Sequence, residues 1–180
     1  MEKNYIKLSN VGNGKTFFVG DVEFIKFYDE DGTTVAVTKD CICEMEFGSN
    51  NDFRSSKILK KLQEDFLPDI AAAVGIENIC DIETDLTTLD GLKPYENLVS
   101  KVTLPTFDFY RKNVEVFDKY KLDRWWWLAT PETAQPHYKP IWITCVSPGG
   151  YVDNDGYYDV NRGVRPFLRF VSSISVSCEE

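Results

Sequence analysis

The chain has 180 residues, 43% apolar and 14% aromatic, which suffices for one domain with a substantial core and speaks against disorder. Its formal charge of −9 argues against a nucleic-acid or anionic-membrane binder, because those need clustered Lys and Arg to displace counterions. No apolar run approaches the ~18 residues of a membrane span, and the opening MEKNYIKLSNVGNGKTFF lacks the continuous apolar stretch of a secretory signal.

Five cysteines (Cys41, Cys43, Cys80, Cys145, Cys178) are an odd number without framework spacing, as expected of reduced thiols in a cytoplasm. Cys41 and Cys43 are separated by one residue, have no second pair and share the chain with a single histidine, so they do not match zinc spacing. No metal and no cofactor are expected.

In chain order, Gly20 to Thr38 is read as a β-hairpin: two alternating apolar runs meet at Asp31-Gly32, a pair suited to positive φ. Asp29-x-Asp31-Gly32 also looks like a fragment of a calcium loop, but the downstream acidic ligands are missing and the turn is preferred. Ser55 or Ser56 can cap a helix with Ile58, Leu59, Leu62 and Phe66 on one face. Pro68 should end or kink it, with Asp69 to Val74 adding a further turn before Gly75.

From Glu64 to Glu96 the chain holds nine acidic residues against Lys93 alone, a net −8, leaving the remainder close to neutral. Overlapping its second half, Ile76 to Ser100 is either a solvated loop or a pair of weak strands. Read functionally, Glu77, Asp81, Glu83, Asp85 and Asp90 form an acidic patch that imitates a phosphate backbone and fits a basic protein groove. Lys101 to Leu104 reads as a strand, followed by a helix over Phe107 to Phe117 with Thr106 as its N-cap.

Trp125, Trp126 and Trp127 open a short buried strand that closes at Pro131, and stripes of this kind are core more often than ligand platforms. Pro131 to Pro140 is a loop, and its His137, without a nucleophile nearby, reads as an ordinary loop residue. Ile141 to Val146 alternates as a strand, Ser147 to Gly150 is a turn, and Asn154-Asp155-Gly156 is expected to turn a second hairpin. Gly163 to Val171 should be a closing strand with Val164, Leu168 and Phe170 on one face and Arg165, Phe167 and Arg169 on the other, bent or at an edge at Pro166. One domain is expected over residues 1–180, with 1–16 as an N-terminal extension and 171–180 as a tail.

The order WWWLATP (Trp125 to Pro131), a Gly/Tyr/Asn/Asp-rich tract, then NRGVRPFL (Asn161 to Leu168) resembles an uncharacterised bacterial and phage domain family that ends in a WWLRSP-type motif followed by GVRPAL. Upstream, VGDVEFIKF, SSKILKKLQEDF and KVTLPTFDFYRK resemble that family's opening strand, capped helix and strand-to-helix segment, extending the likeness over residues from about 17 to 170. The resemblance implies an α+β fold: a single C-type-lectin-like domain of antiparallel strands and hairpins with one or two covering helices. Formylglycine-generating enzymes and the variable proteins of diversity-generating retroelements share that fold. In those variable proteins the tract before the terminal GVRP-type strand recognises partners, which here implies Tyr151, Asp153, Asn154, Asp155, Tyr157, Tyr158, Asp159 and Asn161. Tyr and Asn suit such a surface, although turn chemistry selects Asn, Asp and Gly as well. Two family positions differ, because Ala129 and Thr130 stand where the motif has Arg and Ser. Arg165 is left as the motif arginine, with a structural role tying the last strand to carbonyls or a carboxylate.

No GxSxG, P-loop or HExxH motif is present, and the copper site of the formylglycine enzymes needs a close cysteine pair, while Cys145 and Cys178 stand in no recognisable motif. Asp153, Asp155 and Asp159 form only part of a calcium set. The expectation is a non-enzymatic binding module of phage or mobile-element origin, gripping a protein or a glycan through residues 151–161. The first alternative is an acidic, anti-CRISPR-like phage inhibitor of a nucleic-acid-binding host defence enzyme. The second is a virion or tail attachment component. Neither direct nucleic-acid binding nor a membrane is expected, and the setting is the cytoplasm of a bacterial host or the virion.

Overall fold

The computed structural model describes residues 4–135, 137 and 139–178. The chain begins with strand β1 (Asn4–Lys7), then β2 (Thr16–Val19), β3 (Val22–Glu30), β4 (Thr33–Thr38) and the short β5 (Cys43–Glu44). Helix α1 (Lys57–Lys61), a π-helical turn (Leu62–Phe66) and α2 (Leu67–Val74) form one continuous rod, followed by strands β6 (Ile82–Thr84), β7 (Leu98–Ser100) and β8 (Val102–Thr103). Helices α3 (Phe107–Lys112) and α4 (Val114–Lys119) lead into β9 (Trp126–Pro131), β10 (Trp142–Val146), β11 (Val152–Gly156), β12 (Gly163–Val164), β13 (Phe167–Val171) and β14 (Ser175–Cys178).

The strands form a seven-stranded sheet in the order β1-β14-β2-β3-β4-β13-β8, a five-stranded sheet in the order β11-β10-β9-β12-β5, and the separate pair β6-β7. All named pairings are antiparallel except β12 with β9. The hairpin read at Asp31-Gly32 is present: Glu30 pairs with Thr33, and both turn residues have positive φ, 49° and 75°.

Two apolar clusters fill the interior. The first joins Phe17, Phe24 and Phe170 of the large sheet to Ile58, Leu62, Phe66 and Ile70 of the helical rod and to Trp127 and Ile143 of the smaller sheet. The second joins Ile25, Val35, Val37 and Phe167 to Tyr110 and Phe117 of α3 and α4 and to Trp126 and Leu128. Strand β9 therefore feeds both clusters by simple alternation, and all six of its residues are buried. A buried indole withdraws roughly 200 Å² from water, about 5 kcal/mol before entropic costs, and the Trp127 N–H is satisfied by Met45 O at 2.9 Å.

Several sequence expectations change here. The rod does not stop at Pro68: the π-helical turn just before it widens the bonding pattern where proline supplies no N–H, and the helix runs on to Gly75 (φ 86°). Ser56 supplies the N-cap, its Oγ accepting from Leu59 N at 2.9 Å. The helix expected over Phe107 to Phe117 is broken at Asn113 (φ −123°) into α3 and α4, and Thr106 caps the first.

Neither end of the described chain is a loose extension. β1 pairs with β14 along its whole length, and Leu8, Ile174 and Val176 enter the core. The expected closing strand is two strands: β12 lies in the smaller sheet and β13 in the larger, so the chain crosses between sheets at Arg165-Pro166. Proline, lacking a ladder donor, sits at the step and not within either ladder.

Candidate functional site

The tract from Tyr151 to Asn161 divides into an edge strand and a loop. Asn154-Asp155-Gly156 is not a turn: these residues belong to β11, paired with Thr144, Ile143 and Trp142 of β10. The hairpin reverses earlier, at Ser147 to Gly150, where Gly150 has φ 84° and its N–H donates to Ser147 O at 2.9 Å. Tyr110 Oη holds that turn down by donating to Gly150 O at 2.6 Å.

An Asp/Asn/Gly run can serve as a strand here because of what its side chains do. The amides of Asn154 and Gly156 face away from β10, and each donates to the carboxylate of the preceding residue, Asp153 Oδ1 and Asp155 Oδ1, both at 2.8 Å. The free edge is thus capped by carboxylates and closed to further strand addition. The Tyr158 ring lies over Gly156: an added Cβ would fall 2.6 Å from Tyr158 Cζ, so a side chain there would make the exposed ring swing aside.

Alternation along β11 sends the predicted residues to different sides. Tyr151, Asp153 and Asp155 face one way, together with Trp125 and Arg162. Tyr151 meets Trp125 edge to face at 5.5 Å, and the Arg162 guanidinium lies 5.4 Å from the Trp125 ring centre. Arg162 Nε donates to Asp155 Oδ2 at 2.8 Å, and its Nη2 pairs with Asp159 at 3.2 Å. The Arg162 guanidinium thus lies against Asp155 and Asp159, two of the three carboxylates read as an incomplete calcium set. Asn154 points to the opposite side, its Nδ2 donating to Glu132 Oε1 at 3.1 Å.

Tyr157 is half-buried against the first cluster, its carbonyl accepting from Phe47 N at 2.8 Å and its ring meeting that of Tyr158. The residues left open are Tyr151, Asp153, Tyr158 and Asn161, joined by two that sequence reasoning passed over, Trp142 and Val160. Trp142 has the apolar size of a core residue but starts β10 beyond the reach of the second cluster. Alternation alone could not reveal that.

The frame beneath is stiff. Arg165 is 1% exposed, donating from Nε to Thr38 O and from Nη2 to Lys39 O, each at 2.8 Å, between the rings of Trp126 and Phe117 at 5.1 and 5.2 Å. Burial pulls its pKa from 12.5 down to about 10, still charged at neutral pH. Its partners are carbonyls only.

Of the acidic segment, Asp81, Glu83 and Asp85 alternate with the inward-facing Ile82 and Thr84 of β6 and project together as an exposed row. Asp81 pairs with Lys101 at 3.6 Å, Glu83 accepts from Asn97 Nδ2 at 2.8 Å, and Asp85 accepts from the N–H and hydroxyl of Thr87. Asp90 lies apart, holding Thr88 and Thr133, and these bonds keep its carboxyl below the ordinary value, as the Thr87 bonds do for Asp85. Glu77 is exposed beside Gly75, outside the row.

The thiols are not poised as nucleophiles where they are most buried: desolvation pushes Cys41 and Cys145 up to about 12. His137 is exposed in its loop, while Pro136 and Tyr138 of that loop lie outside the described residues. No helix among the described residues is long and apolar enough to cross a membrane.

Fold and surface together define an α+β protein of mostly antiparallel sheets carrying a carboxylate-capped edge hairpin. No family model, curated protein or solved structure matches the chain.

Proposed function

We propose that this chain is a binding module that grips a protein, or a glycan, with side chains at the margin of the β10–β11 hairpin. The carrying observation is a concentration of exposed apolar surface. Of the nine large apolar side chains exposed among the described residues, Trp142 (42%), Tyr151 (59%), Tyr158 (57%) and Val160 (57%) belong to this hairpin or the loop that leaves it. Rigid aromatic groups beside adaptable polar ones, here Asp153 and Asn161, are the composition of a recognition surface. Because the strand edge is capped, recognition falls to side chains and not to backbone pairing.

The likeness to the WWLRSP…GVRPAL domain family supports the same surface, since the tract before the GVRP-type strand is the recognising one in the related variable proteins. Pairing of the first and last described strands is compatible with a C-type-lectin-like domain. The composition and cysteine usage fit a phage or mobile-element protein working in a bacterial cytoplasm, or on a virion. A second reading, the acidic inhibitor of a nucleic-acid-binding defence enzyme, is favoured by the exposed row of Asp81, Glu83 and Asp85.

Capture from a bacterial host lysate separates the two. A partner retained by the wild type and by Asp81→Asn/Glu83→Gln/Asp85→Asn, lost with Tyr151→Ala/Tyr158→Ala, and little changed between about 50 and 200 mM salt identifies the hairpin face. Loss with the carboxylate variant and a steep salt response identifies the acidic row. A partner retained by both variants refutes both readings.

A further inference from the structure

A cleft away from the hairpin has the build of a receptor for a cationic peptide. Tyr28 from β3, Phe109 from α3 and Phe167 from β13 line its floor, and the row Asp81, Glu83, Asp85 forms its wall, enclosing about 370 Å³. A second basin of about 220 Å³ continues from it, the two sharing Asp85 and Thr106. Aromatic faces beside carboxylates are complementary to a guanidinium, which stacks on the first and pairs with the second.

The cations already present are engaged elsewhere. Arg169 lines the cleft beside Tyr28, which it bonds, and is paired with Glu30 at 2.6 Å, and Arg111, in the second basin, is paired with Asp108 at 3.0 Å. Lys101 reaches Asp81 only at 3.6 Å while donating to Ile79 O at 2.5 Å. Glu83 uses one oxygen for Asn97, and Asp85 uses one for both Thr87 donors. Each keeps its other oxygen without a protein donor among the described residues.

We propose that this cleft binds an extended segment of a partner protein with arginine at alternate positions. The spacing argues for an extended occupant: carboxylates two residues apart on a strand stand about 6.7 Å from one another, the repeat of alternate side chains on a second extended chain. On an extended chain, three arginines in a row put only two on the face toward the carboxylates, whereas three at alternate positions put all three there. The cleft shares no lining residue with the hairpin face, but its wall is the Asp81, Glu83, Asp85 row of the acidic reading, on which this inference rests; peptide register tests the cleft, and lysate capture tests that reading.

The test uses the full chain and two fluorescein-labelled peptides of equal composition, one with Arg-Ser-Arg-Ser-Arg at its centre and one with Ser-Arg-Arg-Arg-Ser, read by fluorescence anisotropy at low and moderate salt. The alternating peptide is expected to bind at least about threefold tighter than the clustered one. Asp81→Asn/Glu83→Gln/Asp85→Asn should weaken it about tenfold or more, and Tyr151→Ala/Tyr158→Ala should leave it unchanged. Glu83→Gln alone, whose side chain bonds Asn97 and no other side chain among the described residues, should weaken it about threefold and serves if the triple variant melts early. Equal affinity for both peptides, undiminished binding by the carboxylate variants, or no binding at millimolar protein overturns the proposal. Loss with the tyrosine variant instead would move the peptide to the hairpin face.

Discussion

Replacing Arg165 with methionine tests whether one side chain holds the two sheets together. Methionine fills similar length and keeps apolar contact with Phe117 and Trp126, but leaves Thr38 O and Lys39 O buried without the donors that reach them at 2.8 Å. Each orphaned carbonyl costs about 1–3 kcal/mol, and the lost stacking of a cation on two rings costs about 1–2 kcal/mol more. Against this, burial drags the guanidinium from 12.5 down to about 10, a desolvation penalty on the order of 3 kcal/mol that methionine does not carry. The net loss is about 3 kcal/mol, a fall in Tm of roughly 9 °C at this chain length. Arg165→Lys keeps the charge but has no planar fork to span both carbonyls and stack, so it should fall between. Urea and thermal unfolding of the three proteins, followed by tryptophan fluorescence, make the comparison. An Arg165→Met protein as stable as the wild type would refute the reasoning and show that Pro166 and the apolar clusters suffice for the crossover.

Gly163→Ala should destabilise by about 2 kcal/mol, because its Cβ would fall 2.3 Å from Cys41 Sγ and 3.0 Å from Cys41 Cβ; Cys41→Ala should restore much of that loss in the double variant, and no restoration would place the strain elsewhere. Acid should unfold the chain in part through Asp29. Desolvation raises its carboxyl, but the bonds from Lys26 and Thr34 outweigh it and hold the group below 3.8. A carboxyl lowered in the folded state gives stability that is fully present above about pH 4 and lost as pH falls through the folded value. Asp29→Asn should therefore lower stability at pH 7, where it strips the buried Lys26 ammonium of its counter-charge, and flatten the acid limb of the stability profile. An unchanged acid limb would show that Asp29 does not carry the titration.

Local chemistry was legible in the sequence where a feature depends on near neighbours. Asp31-Gly32, the Ser56 and Thr106 caps, and the split of Val164, Leu168 and Phe170 from Phe167 each follow from residues a few positions apart. What the sequence hid was long-range. Nothing in NYIK or SVSC announces that β1 and β14 are partners, since the pairing joins opposite ends of the chain. Lys26 shares an alternating face with Val22, Phe24 and Tyr28, and nothing nearby in the sequence shows what its ammonium meets: it is 1% exposed and satisfied by Leu8 O and Asp29, with Leu8 brought near only by the fold. Asn154-Asp155-Gly156 misled for a different reason, because the side-chain chemistry that closes turns is the same chemistry that caps a free strand edge.

That ambiguity bears on what the hairpin can do. A tract rich in Asp, Asn and Gly is soluble and unattractive as a strand template, so aromatic side chains can stand exposed on it without inviting edge-to-edge association. Its precision comes from beneath: Tyr110 fixes the turn, Arg162 ties Asp155 and Asp159 to the ring of Trp125, and Trp125 leads directly into the buried β9. The GVRP step then carries the chain from β12, in the hairpin's sheet, to β13 in the larger one, so the hairpin's root is tied to both apolar clusters. A surface mounted this way would lose little freedom on binding, which would lower the ordering cost of the recognition proposed for it. The same argument ranks the two faces. The hairpin presents preorganised aromatic area, whereas the β6 row belongs to a two-stranded pair outside both main sheets and must rely on charge complementarity, so salt should weaken binding at the cleft far more than at the hairpin.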